Sequence, residues 1–387
     1  MLKIYLNKNE EKRLLRGHPW VFNNEVNRFD GEIKAGSICD VYSYDSRFIG
    51  RGFFNSNSKI MVRILSRKQE EIDESFFKNL INKAWEYRKS LGLEKSCRVI
   101  FSEADNLPGL IVDKYGDYLS IQILSLGMEL RKDIILNLLI EIIKPKGIYE
   151  RSDVSVRKKE GLEEFKGILY GDFDPLVIIE ENDIKMYVDL ENGQKTGYFL
   201  DQKFNRKNLS NYCKDKTVLD CFSHTGGFAL HASKYGAEKV IAVDISQKAV
   251  DDIRRNALLN SFNNIEAIQY DVFDYLRLEE NKGKFDCIVL DPPAFTKNKD
   301  TVEKAYRGYK DINLQALKII KENGFLLTFS CSQHMTPALF LQMLEDASVD
   351  SKRQVRLIDF RIQSPDHPTM LGSDESLYLK CAVLHVY

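Results

Sequence analysis

The sequence predicts an α/β protein whose C-terminal domain, residues 176–387, contains a parallel sheet with helices on both faces. From about residue 176, short apolar runs alternate with segments of helical periodicity, which is typical of parallel sheets. Residues 69–175 mix strands and helices and indicate an α+β domain. Residues 1–68 are short β segments between turns, as in a small barrel. A chain of 387 residues has room for these two or three domains.

The composition excludes several classes of protein. Hydrophobic residues make up 43% and charged residues 29% of the chain, which is too apolar for a disordered protein. No apolar run approaches the ~18 residues of a membrane helix, and the N-terminus is too charged for a signal peptide. Seven scattered cysteines without a CxxC pair suit reduced thiols. We therefore expect a cytoplasmic protein that does not associate with membranes.

The N-terminal domain is predicted from β-branched and aromatic runs at Ser37–Tyr44, Phe48–Phe54 and Ile60–Leu65. The whole chain has a net charge of −1. Residues 1–68, however, contain 13 Lys or Arg and 7 Asp or Glu, a local balance of +6. A positive domain with interleaved aromatic residues suits attraction to a nucleic-acid backbone and stacking on bases.

Periodicity predicts the remaining elements. In the central domain we expect a helix over 69–90, strands at 98–101, 110–112 and 119–124, a helix over 130–143 and a strand at 148–150. In the C-terminal domain we expect strands at 218–221, 239–243, 266–270, 287–290 and 325–329, and helices at 227–234, 247–260 and 309–320. The polar segment Asn298–Lys304 is expected to be a mobile loop.

Four aspartates, Asp220, Asp244, Asp271 and Asp291, stand at the ends of successive strands of the C-terminal domain. Because the carboxyl ends of parallel strands meet at one edge of a sheet, these side chains are expected to line one ligand site. Asp244 suits the hydroxyls of a ribose, and Asp271 suits the exocyclic amine of an adenine. Aspartate is common at strand ends and helix caps, so the set carries more weight than any single member.

The turn over 221–227 follows the first of these strands and precedes a helix, so its backbone N–H groups can face a ligand. It is not a GxGxxG motif, since Ser223 and Thr225 stand where glycines are usual. A pyrophosphate would be repelled by Asp220 and Asp291, whereas a sulfonium cation tolerates nearby carboxylates. The charges therefore favour S-adenosylmethionine over a dinucleotide.

Nine motifs occur along the chain in one order. They are RGHPWVF (16–22), NLPGLIVDKYG (106–116), GQKTGYFLDQ (193–202), DCFSHTGGF (220–228), AVDIS (242–246), YDVFDYL (270–276), DPPAF (291–295), GYKDIN (308–313) and LLTFSCS (326–332). Together they resemble the large-subunit (23S) ribosomal RNA methyltransferase I family of S-adenosylmethionine-dependent cytosine-C5 methyltransferases. The resemblance implies an N-terminal PUA RNA-binding domain, a central α+β domain and a C-terminal Rossmann-like class I methyltransferase domain.

The strand-end aspartates, their neighbours and the resembling GQKTGYFLDQ segment give the expected contacts of S-adenosylmethionine. These contacts are Thr196, Phe199, Gln202, Asp220, Phe222, Ser223, Gly226, Asp244, Ile245, Asp271, Val272 and Asp291. No histidine has metal-ligand spacing to another His, Cys or carboxylate, so no metal is expected. The resemblance implies ribosomal RNA as the partner. A homodimer is compatible with the sequence, which leaves the oligomeric state open.

Cys331 is the expected nucleophile, because C5 of cytosine takes a methyl group only after a thiolate has added to C6. Asp291, on the same sheet edge, can hydrogen-bond N3 or the amino group of the base. Phe295 is expected either to stack on a flipped base or to pack in the interior. Ala294 follows the two prolines, so the group that removes the C5 proton stays open.

Two other functions stay open at this point. A guanine-N methyltransferase of the same fold would act on ribosomal RNA without a thiol. A non-catalytic RNA-binding assembly factor would keep the fold and lose cofactor binding. Replacing Cys331 by alanine distinguishes the first alternative, and measuring S-adenosylmethionine binding distinguishes the second.

Overall fold

The computed structural model describes residues 1–296 and 299–387 and has the mixed α/β class that the sequence predicts. Two compact units are formed. The first unit comprises Met1–Ile179, Val188–Asp201 and Pro365–Ser376, and the second comprises Glu180–Tyr187, Gln202–Ser364 and Leu377–Tyr387. Within the described residues, no helix combines the length and apolar character needed to cross a bilayer. The boundaries of the three expected domains stay a prediction.

The first unit begins with a six-stranded sheet in the spatial order β2-β6-β5-β4-β1-β3. Its elements are β1 (Leu2–Leu6), α1 (Glu11–Leu15), β2 (Trp20–Phe22), β3 (Val26–Asp30), β4 (Ile38–Tyr42), β5 (Phe48–Phe54) and β6 (Ile60–Ser66). β1 runs parallel to β4, and the other neighbours are antiparallel. Leu2, Ile4 and Leu6 alternate into a common core because successive side chains of a strand face opposite sides.

A five-stranded sheet, in the order β11-β10-β9-β8-β7, follows in the first unit. Its elements are α2 (Glu74–Ser90), β7 (Ser96–Phe101), β8 (Leu110–Tyr115), β9 (Tyr118–Ile123), α3 (Leu126–Glu129), α4 (Lys132–Ile143), β10 (Gly147–Ser152) and β11 (Phe165–Tyr170). The helix predicted over 69–90 begins at Glu74, because the Asp73 carboxylate accepts a hydrogen bond from the Phe76 N–H at 2.9 Å and caps it.

The second unit contains a seven-stranded sheet in the order β16-β15-β14-β17-β18-β20-β19. A hairpin, β12 (Leu176–Glu181) and β13 (Ile184–Asp189), precedes it. Then come α5 (Lys203–Asn208), β14 (Thr217–Cys221), α6 (Gly227–Lys234), β15 (Lys239–Asp244), α7 (Gln247–Leu259), β16 (Ile265–Gln269), α8 (Val272–Tyr275), β17 (Phe285–Leu290), α9 (Val302–Ile319), β18 (Ile320–Ser330), α10 (Pro337–Ser351), β19 (Val355–Arg361) and β20 (Lys380–Val386).

Both faces of the seven-stranded sheet are buried, as its continuous apolar strands require. One face packs against α8, α9 and α10, and the other packs against α6 and α7. Strands β14 to β18 run parallel to one another. Strand β20 runs antiparallel to β18 and β19. The sheet is therefore mixed, and the expected parallel arrangement does not extend to β20.

The predicted loop over Asn298–Lys304 is wrong for the part that the structure describes. Asn298 lies outside the described residues. Residues 299–301 form a 3₁₀ turn, and α9 begins at Val302, seven residues before the predicted start. Ala305, Tyr309 and Ile312 form the buried stripe of this helix. The charged residues on its exposed face are typical of a polar loop if the spacing of the buried residues is not considered.

Arg88 is fully buried on α2 and satisfies its guanidinium through four partners. Nη1 and Nη2 donate to the Asp105 carboxylate at 2.6 and 2.8 Å. Nη1 also donates to the Ala84 carbonyl oxygen at 3.3 Å, Nη2 to that of Asp366 at 2.8 Å, and Nε to that of Arg98 at 2.8 Å. A buried guanidinium whose N–H donors are all hydrogen-bonded stabilises the folded chain. Without Arg88, the Asp105 carboxylate would be left without a compensating charge.

Arg88→Ala is expected to lower the free energy of unfolding by about 3–5 kcal/mol, since it leaves Asp105 without its cation. Urea unfolding followed by circular dichroism measures the change. The neighbouring Lys89→Ala is the matched control. The Lys89 side chain is 35% exposed and pairs with the exposed Glu86, so the expected change is within about 0.5 kcal/mol. Equal effects of the two substitutions would contradict the assignment of Arg88 as a stabilising buried charge.

Candidate functional site

The carboxyl ends of four parallel strands form one edge of the seven-stranded sheet. The register pairs Cys221 of β14 with Val243 of β15 and Leu290 of β17, and Leu290 with Thr328 of β18. The loops that follow these strands therefore start side by side. In open parallel sheets this edge is where ligands bind.

The turn after β14 is sharply bent and leads into α6, which begins at Gly227. Phe222, His224 and Gly226 all have left-handed backbone conformations, with φ of 61°, 51° and 86°. Ser223 stabilises the turn, because its hydroxyl donates to the Asp220 carbonyl oxygen at 2.7 Å. A Cβ atom at Gly226 would lie 3.2 Å from the side chain of Ile253, so glycine fits this position in both conformation and space.

Asp220 is 1% exposed and lies at the base of this turn. One carboxylate oxygen, Oδ2, accepts a hydrogen bond from the Ala229 N–H at 3.0 Å. The other, Oδ1, has no hydrogen-bond partner among the described residues. Burial, reinforced by the negative charges of Asp291 and Asp244, raises the pKa of Asp220 to about 8. A buried, unsatisfied acceptor of this kind fits a ligand that brings positive charge or N–H donors.

Asp244 and Asp271 are held in place by backbone N–H groups. Asp244 accepts from His224 and Ser246, each at 2.9 Å. Asp271 caps α8 and accepts from the Phe273 N–H at 2.7 Å. It was expected at the end of a strand, but it lies two residues beyond the end of β16. A carboxylate offers about four acceptor sites, so capping and ligand binding are compatible in the same side chain.

The apolar residues expected at the cofactor differ in exposure. Ile245 is 66% exposed, whereas Val272 is 3% exposed and belongs to the core of the second unit. Phe222 is half-buried, and its ring lies 6.3 Å from the ring of Phe273 in an edge-on arrangement. Ile245 and Phe222 thus offer apolar surface at the sheet edge, and Val272 supports α8 from inside.

Thr196 and Phe199 belong to the first unit, and their role as cofactor contacts stays a prediction. Thr196 is fully buried, and its hydroxyl donates to the Asp113 carboxylate and lies 3.0 Å from the Tyr115 hydroxyl. The Lys195 ammonium lies 4.5 Å from the centre of the Phe199 ring. The remaining ten expected cofactor residues all lie in the second unit.

Asp291, which follows β17, is oriented by a chain of three polar side chains. Gln202 donates to Asp291 Oδ1 at 2.9 Å, and Gln202 Oε1 accepts from the Asn205 amide at 2.8 Å. Asn205 Oδ1 in turn accepts from Arg361 Nε at 3.1 Å. Sequence reasoning identified Gln202 and Asp291 but missed Asn205 and Arg361, because only the folded chain brings residues 205 and 361 together.

Cys331, just after β18, is half-buried, whereas the other six cysteines are buried. Its sulfur atom lies 3.9 Å from the carbonyl oxygen of Pro292. The Thr296 N–H also donates to the Ser332 hydroxyl at 3.4 Å. The loop after β17 and the segment after β18 therefore meet at two points, which brings Cys331 next to the loop that begins with Asp291.

Tyr309 of α9 packs from the protein interior against the loop after β17 and the segment after β18. Its hydroxyl lies 2.9 Å from the Ser332 hydroxyl, and its ring centre lies 4.5 Å from that of Phe295. Tyr309 is fully buried, and burial raises its pKa. Phe295 therefore packs on Tyr309, which is the packing role that the sequence left open beside stacking on a base.

Lys380 was not identified from the sequence, although a buried lysine at the start of the largely apolar strand β20 is an unusual feature. It is 1% exposed, and its ammonium group donates to the carbonyl oxygens of Ser332 at 2.7 Å and Tyr378 at 2.8 Å. The lysine therefore binds the residue that directly follows Cys331. In the part of the chain that the structure describes, no group of three or more His, Cys, Asp or Glu residues is arranged to hold a metal ion.

Two protein families match segments of the chain. A family described as a PUA-like domain matches residues 4–67, within the six-stranded sheet of the first unit. A family described as S-adenosylmethionine-dependent methyltransferase matches residues 167–372, which include the turn after β14 and Cys331. The expected N-terminal PUA-like domain and C-terminal Rossmann-like methyltransferase domain are confirmed, and S-adenosylmethionine is confirmed as the cofactor.

Curated relatives match over nearly the full length. The ribosomal RNA large subunit methyltransferase I of Aliivibrio fischeri (strain MJ11) is 43% identical, covering 98% of both chains. The protein of the same name from Vibrio vulnificus is 42% identical and covers 98% of this chain and 99% of its own.

Solved structures share the fold over the whole chain. A SAM-dependent methyltransferase from Streptococcus mutans superposes with a TM-score of 0.83 at 24% identity, covering 100% of both chains. A crystal structure of a methyltransferase complexed with SAH gives a TM-score of 0.85 at the same identity and coverage.

Binding of S-adenosylmethionine is expected to tighten about tenfold as the pH rises from 6.5 to 8.5. The pKa of Asp220 is raised to about 8, so the carboxyl is mostly neutral below that pH and gains its charge above it. A cationic ligand favours the charged form and releases a proton on binding. Calorimetric dissociation constants across this pH range check the prediction.

Asp220→Asn should remove this pH dependence, because an amide does not titrate. Asp286→Asn is the matched control, since Asp286 pairs with Lys321 at the start of β17 and should leave the slope unchanged. An unaltered slope in Asp220→Asn would assign the pH dependence to another group.

Proposed function

Because this chain belongs to the ribosomal RNA large subunit methyltransferase I family, we propose that it methylates C5 of a cytosine in 23S ribosomal RNA. The chain is an S-adenosylmethionine-dependent methyltransferase. The finer assignment to cytosine C5 rests on one observation, the half-buried Cys331 whose sulfur lies 3.9 Å from the Pro292 carbonyl oxygen, directly after Asp291. An N-methylating site needs no thiol at this position.

The residues at the sheet edge fit the cofactor. Bound S-adenosylmethionine supplies an electrophilic methyl group on a positively charged sulfur. Asp220 Oδ1, buried and without a partner among the described residues, would accept from the positively charged part of the ligand. Asp244 would accept from the ribose hydroxyls, and Asp271 would accept from the adenine amine. The left-handed turn at Gly226 brings backbone N–H groups of α6 towards the ligand.

Cys331 performs the step that makes C5 reactive. Its thiolate forms a bond to C6 of the base, and the electron pair of the C5–C6 double bond becomes available at C5. Bound S-adenosylmethionine would supply the methyl group to this carbon, and its carbon–sulfur bond would break with the electron pair left on sulfur. When a base takes the C5 proton, the double bond re-forms and the Cys331 thiolate leaves.

Asp291 assists the addition by accepting a hydrogen bond from the amino group or from a protonated N3 of the cytosine, which favours the protonated ring that takes up the electron pair as the thiolate adds. The Gln202 amide fixes one carboxylate oxygen at 2.9 Å and so orients the group before the base arrives. The first unit supplies the RNA contact, with its PUA-like sheet and the +6 charge balance of residues 1–68. A cytoplasmic location follows from this substrate, and the homodimer stays a prediction.

Methyl transfer from labelled S-adenosylmethionine to unmodified 23S ribosomal RNA is expected to give 5-methylcytidine after digestion to nucleosides. Cys331→Ala should lower the rate at least about a thousandfold, because no other group replaces the nucleophile. Cys213→Ala, at a buried cysteine that packs against α6, is the matched control and should retain activity. Label in a methylated guanosine, equal in both variants, would replace the proposal by guanine-N methylation.

RNA that contains 5-fluorocytidine is expected to trap the covalent intermediate. Fluorine at C5 cannot leave as a proton does, so the bond between Cys331 and C6 should persist after methyl transfer. The measurement is a denaturation-resistant protein–RNA adduct, with the linked residue identified by peptide mass spectrometry. The adduct should be absent in Cys331→Ala and present in Cys213→Ala. An adduct at a different cysteine would contradict the assigned nucleophile.

A further inference from the structure

The position of Lys380 beside Cys331 is set by antiparallel pairing. The register of β18 and β20 places Lys380 opposite Ser330 and Cys381 opposite Phe329. From there the Lys380 ammonium group donates to the Ser332 carbonyl oxygen at 2.7 Å. The residues before and after Cys331 are thus both neighbours of one lysine.

We propose that Lys380 is a positioning residue for the nucleophile, which holds the backbone of residues 330–332 and stabilises the Cys331 thiolate with its positive charge. This inference deepens the proposed function, because it concerns the thiol that the proposed reaction uses. Lys380 itself touches neither the base nor the methyl group in this scheme.

The energetic reason is the burial of the lysine. An ammonium group that is 1% exposed, in a strand whose neighbours Leu379 and Cys381 are also buried, is costly unless charge compensates it. Its two recorded acceptors, the Ser332 and Tyr378 carbonyl oxygens, are neutral. A thiolate at Cys331 supplies the missing negative charge.

The charges of Lys380 and Cys331 influence each other. Burial lowers the pKa of Lys380 to about 8, and the charge of Cys331 acts in the opposite sense and raises it. The same interaction therefore favours the thiolate over the thiol at Cys331. An unassisted thiol, with a pKa of ~8.5, is only a few per cent ionised at neutral pH.

Other titratable groups around the thiol come from two further elements. Tyr309 of α9 is influenced by the charge of Cys331, which adds to the effect of burial in raising the pKa of Tyr309. Asp291, after β17, precedes the proline whose carbonyl oxygen contacts the sulfur. Tyr309 is a neutral phenol and Asp291 carries a carboxyl group, so of these three groups Lys380 is the one that can offset the charge of a thiolate.

The first test is the pH dependence of Cys331 alkylation by iodoacetamide, measured on the full chain by quantifying the Cys331 peptide. In the unaltered protein we expect a midpoint below that of an ordinary thiol. Lys380→Met, which keeps the length of the side chain and removes the charge, should raise the midpoint by about one pH unit and slow alkylation at pH 7 about tenfold. Lys380→Arg retains the charge and should recover part of this rate.

Lys321→Met is the matched control. Lys321 lies near the opposite end of β18 and pairs with Asp286, so its loss should leave the alkylation midpoint unchanged. Binding of S-adenosylmethionine and the unfolding temperature establish that each variant is folded. If Lys380→Met does not fold, the midpoint of the unaltered protein alone decides, and a value at or above that of an ordinary thiol overturns the proposal.

The second test separates charge from structure in the methylation reaction. In Lys380→Met, loss of the lysine charge should shift the acid limb of the kcat–pH profile to higher pH. The shift should equal that of the alkylation midpoint. KM for the RNA should stay unchanged. A purely structural role would lower kcat equally at all pH values, and this result, or equal midpoints in Lys380→Met and the unaltered protein, would overturn the proposal.

Failure of the proposed function has a different signature. Methylation that survives Cys331→Ala would remove the covalent step. The alkylation midpoint of Cys331 in the unaltered protein and in Lys380→Met would still report whether the lysine stabilises the thiolate.

Discussion

Parallel pairing of β14 with β15 and β17, and of β17 with β18, is the constraint on which the site depends. Because these strands end at the same edge, residues separated by more than a hundred positions in the sequence start their loops side by side. Short contacts then complete the arrangement, such as those of Pro292 with Cys331 and of Thr296 with Ser332. The chemistry of the site is thus built on backbone hydrogen bonds that any apolar strand sequence can make.

The same edge concentrates charges that are unfavourable without a ligand. Asp220 is buried beside two other carboxylates, which raises its pKa, and Lys380 is buried between carbonyl oxygens, which lowers its pKa. Each group would be more stable in water or replaced by an apolar residue. The proposed function accounts for both groups, since a cationic ligand would compensate Asp220 and a Cys331 thiolate would compensate Lys380.

Sequence reasoning found the parts of the site that carry a local signal. Apolar runs identified β14, β15 and β17, and an aspartate at or directly after the end of each strand was visible without a structure. It missed Asn205, Arg361 and Lys380, because their roles depend on which distant strands pair, and no spacing along the chain records that pairing. The early start of α9 was missed for a related reason, since its buried stripe is recognisable only once a facing sheet is present.

The division of the chain into two units has a consequence for biosynthesis. The first unit includes Pro365–Ser376, and the buried guanidinium of Arg88 binds the carbonyl oxygen of Asp366, which is translated 278 residues later. Arg98 likewise donates its backbone N–H to the Asp366 carboxylate. A nascent chain that has left the ribosome up to residue 300 still lacks these acceptors. The N-terminal region therefore reaches its final stability only after Asp366 has been translated, and not as soon as its own residues emerge.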